Sequence, residues 1–220
     1  MLKTQNLAYH PPATTTPILR DVTMQLKEKT LGLIVGASGS GKTTLLEILA
    51  GFVHWSEGGV YWLSQTLDPD YLQQLCGLVF QFPERHFCGS TILEELRLGH
   101  LHLDGDRIDQ VLASVGLAGI SLNTAPHDLS GGQQRRLAIA VQLLRQPSLL
   151  LMDEPTAGLD WSMRRQIIDL IAKLKQDWTV LVVSHEPDEF RAIADDIWVL
   201  EGGILQQNYE HRIPLRRDFP

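Results

Sequence analysis

The chain has 220 residues, 44% hydrophobic and 20% charged, which supplies apolar material for one core and excludes a disordered or fibrous protein. A formal charge of −7 excludes the broad basic face that a nucleic-acid partner requires, so no nucleic acid is expected. The apolar runs at Leu137 to Leu144 and Leu149 to Met152 are too short or interrupted to span a bilayer. Met1 to Pro17 is polar and broken by proline, so no export signal is expected and the chain reads as cytoplasmic. Cys76 and Cys88 have neither metal-ligand spacing nor a disulfide framework; both read as reduced packing residues, with Cys88 buried. Arg212, Arg216 and Arg217 form a small basic tail that reads as a solvated end.

In chain order, Leu2 to Tyr9 alternates weakly and is predicted as an edge strand; His10 to Pro17 is a proline- and threonine-rich loop. Ile18 to Leu26, apolar at Leu19, Val22, Met24 and Leu26, is a second strand of an antiparallel sheet. Tyr9, at the mouth of the loop, is placed to stack on adenine. Leu31 to Val35 is a buried strand that leads into Gly36, Ala37, Ser38, Gly39, Ser40, Gly41, Lys42, Thr43 and Thr44. This stretch fills the template G-x-x-x-x-G-K-[ST] at every fixed position and precedes a helix to Ala50 that stops at Gly51. A polyphosphate needs a loop whose N–H groups point inward, which glycine dihedrals permit, and it gains from the positive end of a helix. Lys42 would reach the β and γ phosphates, Thr43 would ligate Mg²⁺, and Thr44 would touch the α-phosphate.

Gly58-Gly59 is predicted as a turn, Val60 to Leu63 as a strand, and Leu75 to Phe80 as a strand that delivers Gln81 to the sheet's C-terminal edge. Thr91 and Glu94 offer a capping box for a helix to about Leu98, and Asp104 to Val115 is a second helix. Ser130-Gly131-Gly132-Gln133 opens a long helix through Leu144. Leu149 to Met152 is a buried strand ending in Asp153-Glu154, where a carboxylate can hold Mg²⁺ and its neighbour can activate water. Ser162 to Lys175 is a helix, Thr179 to Val183 a strand ending at Ser184-His185, and Pro187 to Ala194 a helix. Ile197 to Leu200 and Ile204 to Gln206 flank a turn. Alternating strands and helices predict an α/β fold: a mainly parallel sheet covered by helices, with an N-terminal antiparallel β-subdomain and an inserted helical lobe.

Leu129-Ser130-Gly131-Gly132-Gln133, just upstream of the strand ending in Asp153-Glu154, resembles the signature of ATP-binding cassette ATPases. The resemblance covers essentially the whole chain and keeps motif order. Tyr9 matches the adenine-stacking loop, Gly36 to Thr44 the Walker A loop, and Gln81 the Q-loop. Asp153 and Glu154 match Walker B and the catalytic glutamate, Gly158-Leu159-Asp160 the D-loop, and His185 the switch histidine. The resemblance implies a P-loop NTPase fold in one nucleotide-binding domain, 1–220, with 1–81 and 147–220 as core and 82–146 as helical lobe and signature helix. It implies ATP and Mg²⁺ as cofactors, with Glu154, His185, Gln81 and Lys42 in catalysis. Thr43, Gln81 and Asp153 would serve the metal. Ser130, Gly131, Gly132 and Gln133 would close over the γ-phosphate held by a second copy, so two chains, identical or paralogous, must meet head-to-tail.

Phe80-Gln81-Phe82-Pro83-Glu84-Arg85-His86-Phe87, followed by Thr91-Ile92-Leu93-Glu94-Glu95, is similar to the energy-coupling-factor importers of vitamins and transition metals. Those usually carry an acidic residue, glutamine and leucine before the phenylalanine, where this chain has Arg85-His86. The expected function is an ATPase that drives uptake through separate integral membrane subunits, attached peripherally to the cytosolic face of a membrane. The alternative is a soluble ATPase of a cytosolic assembly such as iron–sulfur cluster biogenesis. A P-loop kinase or GTPase would leave the 129–133 stretch and His185 without a role, and the chain has no Asn-Lys-x-Asp run for guanine.

Overall fold

In the computed structural model, residues 1–12, 14, 16–99 and 103–207 are described; the basic tail at Arg212, Arg216 and Arg217 lies outside them. The strands are β1 (Leu2–Tyr9), β2 (Leu19–Leu26), β3 (Leu31–Val35), β4 (Glu57–Trp62), β5 (Gln65–Leu67), β6 (Cys76–Val79), β7 (Leu149–Asp153), β8 (Thr179–Ser184), β9 (Asp196–Glu201) and β10 (Ile204–Gln207). The α-helices are α1 (Lys42–Leu49), α2 (Pro69–Leu75), α3 (Ile92–Arg97), α4 (Gly105–Ser114), α5 (Gly131–Leu144), α6 (Trp161–Leu174) and α7 (Pro187–Phe190). Six strands form the main sheet in the order β10-β9-β3-β8-β7-β6, parallel except for β10.

The central strands β3, β7 and β8 are buried at every position and mostly apolar, the pattern of strands covered on both faces. Their alternation sorts the core into two layers. Leu31, Leu33, Leu150, Met152, Val180 and Val182 face one layer, which also takes Ile92, Ile108, Leu137, Leu143, Ile167 and Ile171 from the helices. Ile34, Leu149, Leu151, Leu181 and Val183 face the other, with α1, α2 and the second sheet. The apolar residues of the helical lobe therefore run without a break into those beneath the main sheet.

The second sheet, β2-β1-β4-β5, is antiparallel and corrects two expectations. β1 is not an edge: it lies between β2 and β4. Its alternation is weak because Thr4 is fully buried, its hydroxyl donating to the Val22 carbonyl at 2.9 Å and accepting from Met24 N–H at 3.1 Å. Gly58-Gly59 is not a turn but part of β4. Gly58 has φ +80 and faces a register shift in β1, where a Cβ would stand 2.2 Å from the Asn6 carbonyl oxygen. The reversal falls at Leu63-Ser64, both at positive φ, as a two-residue hairpin loop requires.

The helices of the lobe form where predicted, with a modified start to α3. The Thr91 hydroxyl accepts from Glu94 N–H at 3.2 Å, but the Glu94 carboxylate takes the N–H of Ser90. α7 stops at Phe190, four residues before the predicted end, and the Ile193 carbonyl accepts instead from Lys175 Nζ at 2.8 Å. Cys76 is buried as expected. Cys88 is exposed, on a loop whose N–H groups at Cys88 and Gly89 donate to the buried Glu95 carboxylate at 2.8 and 2.7 Å.

Candidate nucleotide site

The residues that carry chemistry stand where the parallel strands end. β3, β8, β7 and β6 are parallel neighbours, so their C-terminal ends share one edge of the sheet, where ligands of open α/β sheets bind. A cavity of about 540 Å³ opens there, lined by Ser38, Gly39, Gly41, Lys42, Thr43, Thr44, Gln81, Asp153, Glu154 and His185, with Ile18 on one wall.

The loop after β3 turns through Gly39 and Gly41 at φ +79 and +102, dihedrals that favour glycine. Gly36 answers a different need: a Cβ there would stand 2.4 Å from the Leu200 carbonyl oxygen and 2.6 Å from Ser40 Oγ. No side chain caps α1 behind Gly41, so the first N–H groups of the helix face the cavity as anion donors. Lys42 is buried, its ammonium donating to the carbonyls of Gly36 at 2.7 Å and Ala37 at 3.0 Å. Gly36, Ala37 and Ser40 themselves line a neighbouring groove on the far side of the loop.

The Thr43 hydroxyl donates to Asp153 Oδ2 at 2.8 Å, joining the phosphate loop to the end of β7. Burial pushes the Asp153 carboxyl above the usual carboxylate range, and the charge of Glu154 adds to this; the Thr43 hydrogen bond and Lys42 oppose it. A desolvated carboxylate beside a hydroxyl, with Gln81 on the same cavity, is an all-oxygen donor set. It fits a hard divalent cation that shares its shell with phosphate and water.

Glu154 is buried and has φ +45, an uncommon conformation for a side chain of its size. Its N–H donates to the Val183 carbonyl at 3.0 Å, which pins it to β8. Its Oε2 accepts from His185 Nδ1 at 2.9 Å and from His185 N–H at 3.3 Å, while Oε1 stands 4.0 Å from Lys42 Nζ. His185 is half exposed, with Nε2 3.7 Å from Glu186 Oε1. A carboxylate oriented by an imidazole at a phosphate site is an arrangement for proton abstraction from water.

Other predicted residues lie apart. Tyr9 is not among the residues lining the cavity; its ring is partly buried against the core. Its carbonyl accepts from Ile18 N–H at 2.9 Å, and Ile18 supplies the apolar wall. Ser130, Gly131, Gly132 and Gln133 do not line the cavity either. Ser130, Gly131 and Gln133 are exposed at the start of α5, where Ser130 and Gln133 form a reciprocal capping box. Asp160 is exposed and caps α6. It accepts from Met163 N–H at 3.0 Å and the Ser162 hydroxyl at 2.9 Å, bonds that hold its carboxyl below the ordinary range.

The sequence reading passed over Ile18 and Arg135. Arg135, three residues after Gly132 and four before the buried Ile139, occupies the buried phase of an amphipathic helix; a charge at that phase is the signal that marks it.

Geometry of this kind defines a class, the P-loop nucleoside triphosphatases, without distinguishing among its branches. The branch follows from comparison with known proteins. A family profile described as ABC transporter matches residues 19–157, and the chain belongs to the ABC transporter family, as an ATP-hydrolysing subunit. It is 42% identical over 221 residues to ABC transporter I family member 11, chloroplastic, of Arabidopsis thaliana, covering 93% of this chain and 80% of that one. It is 34% identical over 203 residues to the energy-coupling factor transporter ATP-binding protein EcfA2 of Bacillus subtilis (strain 168), covering 86% and 74%. Among solved structures it resembles cbiO1 of Clostridium perfringens, part of the ABC transporter complex cbiONQ, with a TM-score of 0.85 at 27% identity, covering 94% and 87%.

Proposed function

We propose that this chain hydrolyses ATP at the cytosolic face of a membrane to drive uptake of a vitamin or metal ion through separate membrane subunits. It works as a single nucleotide-binding domain, 1–220, paired head-to-tail with a second cassette, identical or paralogous. The importer reading draws on the likeness to EcfA2 and to cbiO1, part of a transporter complex. Among the described residues no helix is long and apolar enough to cross a membrane.

The observation that carries the catalytic reading is the pairing of Glu154 with His185 beside Lys42 and the Thr43–Asp153 hydrogen bond, all on one cavity. The triphosphate lies along the start of α1, with Lys42 exchanging its two loop carbonyls for β and γ oxygens. Thr43, Asp153 and Gln81 would hold Mg²⁺, which when bound would supply positive charge against the phosphate oxygens. Glu154 takes a proton from the attacking water, and His185 turns its Nε2 side to the γ-phosphate. Tyr9 stacks on adenine.

Ser130, Gly131 and Gln133 are exposed and off their own cavity, which supports a site completed by the partner. ATP then closes the dimer, and hydrolysis reopens it. Affinity purification from detergent-solubilised native membranes tests the transport role. Recovery with a multi-span membrane protein is expected; recovery with soluble proteins alone would overturn it in favour of a cytosolic assembly ATPase.

A further inference from the structure

α5 carries a guanidinium in the middle of the protein. Arg135 is 2% exposed and donates through Nη2 to the Ala157 carbonyl at 3.1 Å. Through Nη1 it donates to the carbonyls of Phe80, at 3.3 Å, and Gln81. Its Nε is buried without a partner among the described residues. All three acceptors are backbone oxygens. The charge is therefore buried without a hydrogen-bonded carboxylate, and burial weakens its hold on the proton, offset in part by the charge of Glu84. A cation kept in this way costs stability, and an apolar side chain of the same volume would fill the slot more cheaply. What an apolar side chain cannot do is hold two loops.

The two loops matter to the site. Phe80 and Gln81 follow the last residue of β6, Val79, where the sheet ladder no longer sets the backbone. Ala157 lies between Glu154 and Asp160, and its N–H donates to the Glu154 carbonyl at 3.0 Å. The guanidinium's planar fork reaches both segments from the helix that begins at the exposed Ser130–Gln133 motif.

We propose that Arg135 is a positioning residue for ATP hydrolysis: it fastens the Gln81 backbone to α5 and to the segment after Glu154, and thereby sets where the Gln81 side chain meets the nucleotide. This rests on Gln81 contacting bound ATP. Arg135 lines no part of the cavity and acts through the residue it holds. A lysine keeps the charge but offers one compact ammonium where the fork spans two loops.

The test is a cycle of Arg135→Lys, Gln81→Ala and the double variant, each measured for equilibrium ATP binding and steady-state phosphate release. Arg135→Lys is expected to lower kcat by about 10–100-fold, the scale of an ångström-level misplacement, with the ATP Kd held within about threefold. In the Gln81→Ala background the same substitution should lower kcat by no more than about twofold. Additive losses in the double variant would overturn the proposal. So would loss of folding or of ATP binding in Arg135→Lys, since the residue would then serve stability alone. A wild-type kcat in Gln81→Ala would instead remove the reading of Gln81 on which the proposal stands.

Discussion

Replacing Glu154 with glutamine keeps the side-chain shape and removes its basicity. The amide oxygen can still accept from His185 Nδ1, now at 2.9 Å from Oε2, so the local geometry should survive. The charge balance around it is also nearly neutral. Lys42 Nζ stands 4.0 Å from Oε1 and would lose an attraction, while Asp153 next door would lose a repulsion that helps to raise its pKa. The Lys42 term is about 4 kcal/mol gross at an effective dielectric constant of about 20, and relief of the Asp153 repulsion opposes it. The expected net is about 1 kcal/mol or less, a change in Tm of roughly 2–4 °C. The catalytic loss is of another size: general-base help is worth about 10²–10⁴-fold, or roughly 3–5.5 kcal/mol of barrier. Phosphate release under saturating ATP, with equilibrium binding and size-exclusion chromatography in parallel, separates the two effects. The expected result is a kcat lowered by that factor, ATP affinity retained, and an ATP-bound dimer that accumulates. A kcat within a few-fold of wild type would remove Glu154 from proton transfer.

Ser130→Arg removes a cap worth about 0.5–2 kcal/mol and places a cation where the partner's nucleotide would arrive. ATP binding to the monomer should persist while dimer formation and turnover are lost, as light scattering and phosphate release would show. Gly36→Ala puts a methyl 2.4 Å from the Leu200 carbonyl oxygen, so the loop or β9 must shift. A cost of about 1–3 kcal/mol, with weakened ATP binding, is expected from thermal unfolding and titration. The buried Cys76 thiol is pushed up to about 12, which leaves a thiolate fraction of about 10⁻⁴ at pH 8. Iodoacetamide on the native protein should therefore label Cys88 and spare Cys76, as peptide mass spectrometry would show.

The site was legible in the sequence to the extent that its chemistry is local. A phosphate loop must be contiguous, and a carboxylate at the end of an apolar strand announces itself by the strand, so Lys42, Thr43, Asp153 and Glu154 fall on one cavity as expected. The 2.8 Å bond between Thr43 and Asp153, 110 residues apart, follows from strand order, which no local pattern encodes. Arg135 escaped notice because its partners are carbonyls, and carbonyls carry no residue identity to read. In the β-subdomain, Gly58-Gly59 misled because glycine marks a bulge as readily as a turn. The weak alternation of β1 misled because Thr4 meets its hydrogen-bonding needs within the core. Cys88 was misplaced because free cysteine is usually buried, whereas here the backbone of its loop is held by the Glu95 carboxylate and its side chain is left exposed.

The left-handed backbone at Glu154 narrows what can ever replace it. Valine, isoleucine or threonine would be penalised by their branching before their chemistry was tried. Glycine would relax the chain and bring no oxygen, and aspartate or asparagine, the side chains most at ease there, are one methylene short of the His185 imidazole just past the end of β8. Of the side chains weighed, glutamate and its amide alone keep both the reach to His185 and an oxygen to accept from it.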